Sequence, residues 1–203
     1  MSSALAIASV NYLLKSLLEE GLTNEGMTTI LGNMVTVSSL PMDKILPNQS
    51  GTEVSQLNLF LYRTTPNQGW RNVGLPSRNS RGQKKQNNPL ALDLHYILTA
   101  HGETEFHRES ILGVGMHTLH ETPAFSREYI ESTLGAIIAD DDPLNRAIAN
   151  SGLAEQVEIL KITPEILSTE EISRLWTAFS AKYRPHAAYV VTVVLIERQD
   201  DIP

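Results

Sequence analysis

The sequence predicts an α/β (α+β) fold, a single domain with a mixed, mainly antiparallel sheet of four or more strands and four to five helices. The strongest signal is a strand in which apolar side chains recur at every second position, the period of a strand and not of a helix. A second strand of similar quality spans 57–64, and helical patterns separate the strand signals. The alternating residues of the strongest strand are Leu90, Leu92, Leu94, Tyr96 and Leu98.

Length and composition bound the class of protein. A chain of 203 residues with 41% hydrophobic content can bury one substantial core, so we expect residues 1–203 to form one domain. The absence of cysteine excludes a disulfide framework, a zinc-finger cluster and a thiol nucleophile, and it fits assembly in a reducing cytoplasm. A net charge of −7 argues against general nucleic-acid binding. No export signal is visible at Met1, and no segment approaches the roughly 20 apolar residues that span a bilayer.

The chain begins with a predicted amphipathic helix. Ser2 or Ser3 can cap it, and Gly21 is expected to end it. After a polar turn, 34–38 is predicted to form a short strand, followed by the strand at 57–64. The inward stripe of the helix has the spacing i, i+3, i+4, i+7 and i+8 and comprises Val10, Leu13, Leu14, Leu17 and Leu18.

The strand at 90–99 has two different faces. Pro89 precedes it and Gly102 closes it. One face is apolar and includes Leu94, which we expect in the core. The other face is mixed, which favours helices on one side of the sheet only. The mixed face consists of Ala91, Asp93, His95, Ile97 and Thr99.

A helix is predicted from 103 to 121, with Pro123 stopping it. Gly113 and Gly115 are costly inside a helix, so they predict a close contact between helix and sheet. The expected inward stripe is Leu112, Gly115, Met116 and Leu119.

Two further helices have clear start signals. Ser126 can cap the first, and Asp142 with Pro143 at the first helical position begins the second, which Gly152 breaks. The inward residues of the first are expected to be Ile130, Leu134, Ile137 and Ile138.

The last part of the chain predicts strand, helix and strand. A strand at 156–162 runs up to Pro164, and Ser168 with Glu171 forms a capping box for a helix. The final strand, 187–196, is apolar on both faces and should be central or covered on both sides. The helix places Ile172, Leu175, Trp176 and Phe179 on one face, as core residues.

A basic loop at 65–89 separates the two best strands. It has no convincing periodicity and no acidic residue, so the rest of the chain is more acidic than the total charge indicates. Long loops in compact domains are either functional or disordered, and the sequence leaves a binding element and a solvated loop equally open. Its basic residues are Arg71, Arg78, Arg81, Lys84 and Lys85.

Candidate catalytic chemistry is sparse. Asp93 and His95 share a strand face, and a small metal-dependent enzyme would need them to converge with a nearby histidine, one of His101, His117 or His120. Polar residues on exposed faces explain the same side chains, so we assign no metal site and no catalytic residue. A second alternative is a nucleic-acid-binding module that uses the 71–85 loop and loses affinity as salt increases.

Several short motifs follow one another in a specific order. Each motif alone is common, but their order and spacing together resemble the cap, or tail-terminator, proteins of extracellular contractile injection systems, which are phage-tail-like particles. The resemblance runs from the first helix to Glu197. The motifs are Leu57-Asn-Leu-Phe-Leu-Tyr-Arg-Thr-Thr-Pro-Asn67, Leu75-Pro-Ser-Arg78, Leu90-Ala-Leu-Asp-Leu-His-Tyr96, Ile111-Leu-Gly113 with Leu119-His-Glu-Thr-Pro123, and Ile162-Thr-Pro164 followed by Leu175-Trp176.

This resemblance implies a structural protein and no enzyme. Six copies would form a ring on the end of the inner tube distal to the baseplate, bind the last tube and sheath rings, and end their growth. The expected partners are therefore further copies of the chain, the inner tube protein and the sheath protein, without nucleic acid or membrane insertion. The protein would be assembled in the bacterial cytoplasm as part of a particle that can be released. Neither catalytic residues nor a cofactor are implied.

The basic loop and the sheet edges are the expected contact surfaces of such a ring. A basic loop on an acidic body gives the subunit two different surfaces. Sheath subunits of these particles join through exchanged strands, so an exposed sheet edge could accept a strand from the terminal sheath ring. The candidate assembly residues are Trp70, Arg71, Arg78, Arg81, Lys84 and Lys85.

Overall fold

The computed structural model describes residues 3–45, 51, 53–70, 81 and 89–197. Within these residues the chain forms six α-helices and five strands, one helix more than expected. Two single 3₁₀ turns, Met42–Lys44 and Leu153–Glu155, lie between them. In chain order the elements are α1 (Ala6–Asn24), α2 (Met27–Leu31), β1 (Thr36–Ser38), β2 (Gln56–Pro66), β3 (Leu90–His101), α3 (His107–Glu121), α4 (Arg127–Gly135), α5 (Pro143–Ala149), β4 (Lys161–Glu165), α6 (Thr169–Ala178) and β5 (His186–Ile196).

The five strands form one sheet in the order β1-β2-β3-β5-β4. Only β1 and β2 run parallel, and the other three pairs are antiparallel. The predicted mixed, mainly antiparallel sheet is therefore confirmed. The strand that gave the strongest sequence signal, β3, lies at the centre.

The main core fills one face of the sheet. There α1 and α3 pack on β3, and Leu13, Ile111 and Leu98 are fully buried between these layers. Leu94 belongs to the same cluster and is also fully buried, as expected. The stripe of α3 is displaced from the prediction, because Ile111, Gly115 and Leu119 face inward while Met116 is largely exposed.

The opposite face is partly covered as well, which corrects the expectation of helices on one side only. Trp176 of α6 packs there against Ile97 of β3 and Met42. Phe179, next to α6, meets Phe60 of β2 edge to face, with ring centroids 5.4 Å apart. A second, smaller core therefore lies on this face of the sheet.

An irregularity in β5 explains why this strand is apolar on both faces. Leu94 pairs with Val191, whereas Leu92 pairs with Val194, so two residues of β5 stand opposite one of β3. Such a bulge changes which side chains face the core. Val191 and Val194 both pack into the main core, while Val193 lies on the opposite face.

Two glycines mark close helix contacts, although one was interpreted wrongly. Gly21 does not end α1, which continues to Asn24; a Cβ at Gly21 would lie 2.1 Å from Oγ1 of Thr118 on α3. A Cβ at Gly115 would lie 2.7 Å from a methyl group of Leu57 on β2, so the predicted contact between helix and sheet is confirmed there. Gly113 faces open space, and the same expectation is wrong for it.

The predicted strand at 156–162 is displaced to Lys161–Glu165, so Pro164 lies inside β4 and does not end it. The side chain of Gln156 replaces strand pairing: Nε2 donates to the carbonyl oxygen of Val193 at 3.1 Å, and Oε1 accepts from the backbone N–H of Leu195 at 3.2 Å. The buried side-chain amide of Gln156 thus pairs with backbone groups of β5 at the position where a neighbouring strand was expected.

Three of the five predicted helix starts are confirmed, whereas at α1 the N-cap is Leu5 and not Ser2 or Ser3. The caps Ser126, Asp142 with Pro143, and Ser168 with Glu171 are all present. Helix α3 begins four residues later than predicted, after Phe106 in a left-handed conformation, and Ile138 is exposed because α4 ends at Gly135. Among the described residues, no helix is long and apolar enough to cross a membrane.

Candidate assembly surface

The candidate assembly residues divide into two groups. Trp70 and Arg81 belong to the described part of the chain, whereas Arg71, Arg78, Lys84 and Lys85 lie outside it. Arg81 is exposed. The nucleic-acid alternative, which rests on the same loop, stays a prediction.

The start of the basic loop is fixed on the sheet face opposite the main core. Trp70 is partly buried and packs against Ala91, Val193 and Leu195 of β3 and β5, so it anchors the start of the loop, and its role in assembly stays a prediction. Asn67 holds the same region, because its backbone N–H donates to the carbonyl oxygen of Ala91 at 3.0 Å. The side-chain oxygen of Asn67 accepts a hydrogen bond from the backbone N–H of Trp70 at 3.0 Å. The loop therefore leaves the sheet at a defined position.

The imagined metal site is not assembled. Asp93 accepts a hydrogen bond from Nδ2 of Asn67 at 2.7 Å, while His95 contacts Glu165. His117 pairs with Glu121 of its own helix at 3.5 Å. Among the described residues, no group of three or more histidine or carboxylate side chains could hold a metal ion. The metal-enzyme alternative gains no support from these residues.

His95 belongs instead to a polar cluster centred on Glu165, which sequence reasoning missed. The Glu165 carboxylate accepts from the Tyr62 hydroxyl at 3.0 Å and from the Arg63 guanidinium at 3.0 Å. It also lies 2.9 Å from Nδ1 of His95. Burial, followed by the hydrogen bond to Glu165, raises the pKa of the Tyr62 hydroxyl above its usual range. The cluster ties the edge strand β4 to β2 and β3.

Three side chains of this region, a hydroxyl, an imidazole and a carboxylate, follow one another as in the catalytic triad of a hydrolase. The hydroxyl of Thr65 lies 2.8 Å from Nε2 of His95, whose Nδ1 faces the Glu165 carboxylate. Arg63 and Tyr62 already occupy that carboxylate with their own hydrogen bonds. We interpret the cluster as a structural tie, because every polar group named here has a protein partner.

The two edges of the sheet differ in accessibility. The outer edge of β4 is closed: the Ile162 N–H donates to the Pro123 carbonyl at 2.7 Å, and Pro164 has no N–H to offer. At the other edge, β1 pairs only with Gln56–Asn58 of β2. In the part of the chain that the structure describes, no strand pairs with the outer side of 59–66.

Comparison with known proteins agrees with this fold. The sequence profile described as the Pvc16 N-terminal domain matches residues 9–202. Among curated proteins there is no significant match. One similar solved structure is the sheath/tube terminator of an extracellular contractile injection system, PVC, in its extended state. It has a TM-score of 0.50 and 12% identity, over 88% of this chain and 56% of that chain.

A second similar structure is the anti-feeding prophage cap, the AFP tube terminating cap. It has a TM-score of 0.46 and 14% identity, over 88% of this chain and 55% of that chain. This chain therefore spans little more than half the length of either solved protein. The profile match covers nearly the whole chain, and the fold is shared with the PVC sheath/tube terminator. The chain belongs to the Pvc16 N-terminal domain family.

Proposed function

We propose that this protein caps a contractile injection system, as a ring, hexameric in its complete form, on the distal end of the inner tube and sheath. The ring ends polymerisation of both and stabilises the particle. The observation that carries this proposal is the family match over residues 9–202. The shared fold with a sheath/tube terminator supports it. In this role the protein is not an enzyme and needs no cofactor.

The proposed partners are further copies of the chain, the inner tube protein and the sheath protein. A ring needs different surfaces toward its neighbours and toward the tube. Among the described residues no strand pairs with the outer edge of 59–66 on β2. This supports strand addition from the sheath, because unpaired backbone groups at a sheet edge accept an added strand. The closed edge of β4 offers no such site.

The basic loop at 65–89 is proposed as a second contact surface within a single domain that spans 1–203. Its first two residues continue β2, and Trp70 fixes its start on the sheet. Five basic residues and no acidic one make this loop complementary to an acidic neighbour. We propose that Arg71, Arg78, Arg81, Lys84 and Lys85 face the adjacent subunit or the tube.

The test is assembly of particles with and without the protein, followed by measurement of tube length by negative-stain electron microscopy. With the protein we expect a narrow length distribution and a ring at one end; without it, overlong or uncapped tubes. Leu94→Asp is the inactive control, because an unpaired carboxylate in the main core should prevent folding. Capped tubes of uniform length in the absence of the protein would refute the proposal.

Ring formation by the isolated protein is measured separately. Light scattering at increasing concentration should show association, and negative-stain images of the same samples should show closed rings. A strictly monomeric protein at high concentration would contradict self-association, although a ring templated by the tube end would still be compatible with the capping result.

A further inference from the structure

A groove of about 540 Å³ lies between α1 and α4, on the side of the sheet that holds the main core. Its lining is polar and comes from both helices. Some of the lining side chains are half-buried and others stand exposed at the edge of the groove. The half-buried ones include Tyr12, Ser16, Tyr129 and Thr133, and the exposed ones include Glu19 and Glu20.

The groove has a net negative charge. Of its lining residues, Glu19 and Glu20 are charged, and both are negative. Glu19 lies 3.6 Å from Nζ of Lys15 on the same helix, an exposed ion pair of the kind that contributes little. The Tyr129 hydroxyl donates to Glu20 at 3.5 Å. Burial, followed by the charge of Glu20, raises the pKa of Tyr129 to about 12, so this phenol is neutral at pH 7.

The remaining charges of α4 do not reverse this potential. Arg127 points away, because its guanidinium donates to the carbonyl oxygens of Gln156 at 3.2 Å and Val157 at 3.4 Å. Glu128 and Glu131 add exposed negative charge outside the lining. An anion would therefore be repelled from the surface of α1 and α4, and a cation would be attracted to it.

Two tyrosines give the groove a second property that does not depend on its charge. Tyrosine rings bind cationic side chains over their faces, and arginine does so more often than lysine. The ring of Tyr129 stacks on that of Phe125, with centroids 5.5 Å apart, so it is held in a fixed position. The hydroxyl groups of Ser16 and Thr133 are further hydrogen-bond acceptors. This combination matches a peptide segment that carries arginine.

The chain itself contains such a segment. The basic loop at 65–89 has five basic residues and no acidic one, so its charge is complementary to that of the groove. Arg78 lies near the middle of this loop in sequence, about equally far from the strands at its two ends. It is therefore the arginine that can reach farthest from its own sheet.

The loop and the groove of one copy lie on opposite sides of the sheet. Trp70 fixes the start of the loop on the face opposite the main core, whereas Tyr12 and Tyr129 pack against the main core. This arrangement favours a contact between two copies over a contact within one. Such a contact joins two different surfaces, and repeated contacts of this kind generate a closed ring when the rotation between copies closes.

We propose that the groove between α1 and α4 binds the basic loop of the adjacent copy in the ring. The Arg78 side chain enters the groove, with its guanidinium against the two tyrosine rings and its charge toward Glu19 and Glu20. This inference rests on the proposed function, because it names the partner of the basic loop within the proposed ring. The contact between copies requires neither tube nor sheath.

The first experiment tests this contact by disulfide cross-linking, in the isolated protein at high concentration and in the presence of tubes. The chain has no cysteine, so Ser80→Cys in the loop and Ser132→Cys in the groove place two thiols in one chain. Oxidation should give a ladder of multimers on a non-reducing gel. The matched control combines Ser80→Cys with Ser173→Cys, at an exposed serine of α6 outside the groove, and should give at least about tenfold fewer multimers.

The possible results of this experiment are distinct. A disulfide within single chains would overturn the proposal, because the loop would then bind its own groove. Cross-linking no stronger than in the control, in both samples, would also overturn it. Cross-linked multimers of a protein that does not cap tubes would refute the capping function and leave the contact between copies standing.

The second experiment reverses the charges in the background of Ser80→Cys and Ser132→Cys. Glu19→Lys with Glu20→Lys should lower the yield of multimers about tenfold at low salt. Adding Arg78→Glu and Lys84→Glu should restore the yield, because opposite charges then face each other again. Thermal unfolding of each variant verifies that it folds.

The control for charge reversal is Glu103→Lys with Glu105→Lys, at two exposed positions outside the groove. This variant should give the same yield of multimers as the unreversed protein. An equal loss of multimers in the groove variant and in this control, or no recovery when the loop charges are also reversed, would exclude the basic loop as the occupant of the groove.

Discussion

At the scale of single residues, the buried polar groups carry information that the sequence pattern did not. Asp93, His95 and His101 are all titratable residues of β3, and the sequence does not distinguish them, yet the fold gives each a different role. Asp93 is bound by Asn67, and His95 is bound by Glu165, 70 residues away. His101 lines a cavity beside Arg184 and Glu53. These partners come from distant segments, so no spacing rule could identify them.

His101 should make the stability of the protein depend on pH. Burial lowers its pKa from the usual 6.5 to about 4, with Arg184 and Arg108 adding to the shift and Glu53 opposing it. Between these two values the unfolded state binds more protons, so the free energy of unfolding rises with pH in that range. We expect a loss of about 2 kcal/mol between pH 6.5 and pH 4, measured by urea unfolding at a series of pH values.

The control for this prediction is His101→Gln, which cannot titrate. Its stability should change much less over the same range, because the carboxylates whose pKa values are lowered, such as Glu171, lose their contribution mainly below about pH 4.5. Parallel curves for the wild type and His101→Gln would show that His101 is protonated as easily in the folded state as in the unfolded state.

At the scale of elements, local sequence signals predicted the starts of helices better than the ends of helices and the pairing of strands. The caps of α4, α5 and α6 depend on one or two side chains and were correct. The position of β4 depends on what Gln156 contacts on β5, and the end of α1 depends on what Gly21 contacts on α3. The candidate loop residues were recognised as unusual, but the anchoring role of Trp70 needed the positions of β3 and β5.

The contact between α1 and α3 predicts an unusual response to Gly→Ala substitution. Alanine is favoured over glycine in a helix by about 1 kcal/mol. At Gly21, however, the new Cβ would lie 2.1 Å from Oγ1 of Thr118, so we expect Gly21→Ala to destabilise the protein by about 1–3 kcal/mol. Gly113→Ala in α3, where nothing lies within 4 Å, should instead be stabilising. Thermal unfolding of both variants tests the pair, and equal shifts of Tm would contradict the close helix contact.

The open edge of β2 gives a second prediction at this scale. Thr64 on β2 and Thr163 on β4 are both exposed. Residues 123–125 and Pro164 close the β4 edge, whereas no strand in the described part of the chain pairs with the β2 edge at Thr64. A lysine on a sheet edge disfavours strand addition. Thr64→Lys should therefore weaken binding to the sheath protein, while Thr163→Lys should leave it unchanged. Pull-down with purified sheath subunits measures both, and equal binding by the two variants would exclude 59–66 as the acceptor edge.

At the scale of the whole molecule, the two faces of the sheet have different roles in the described part of the chain. The face of the sheet covered by α1 and α3 holds the main core and gives stability. The opposite face carries the smaller core, the Glu165 cluster and the start of the basic loop. Of the candidate contacts of the proposed ring, the basic loop starts on this second face, the strand acceptor lies at the β2 edge, and the groove lies between α1 and α4.

This division predicts that the charge of the basic loop contributes to assembly and not to folding. Single charge changes at exposed positions usually alter stability by no more than about 0.5 kcal/mol, so replacing four loop residues together should leave thermal unfolding nearly unchanged. If they face an acidic neighbour, the same change should weaken docking in a salt-dependent way. The substitutions are Arg78→Ser, Arg81→Ser, Lys84→Ser and Lys85→Ser.

The matched control removes the same charge elsewhere, by Lys15→Ser, Lys44→Ser, Lys161→Ser and Arg174→Ser. Both quadruple variants are purified, unfolded thermally and added to particles assembled at two salt concentrations. We expect overlong or uncapped tubes with the loop variant and normal tubes with the control, and a difference between the two that shrinks at higher salt, because salt screens the loop charges that the control retains. Uniform, fully capped particles from both would exclude the loop from the assembly interface. Equal defects from both would assign the effect to net charge, because the location of the charge would then make no difference.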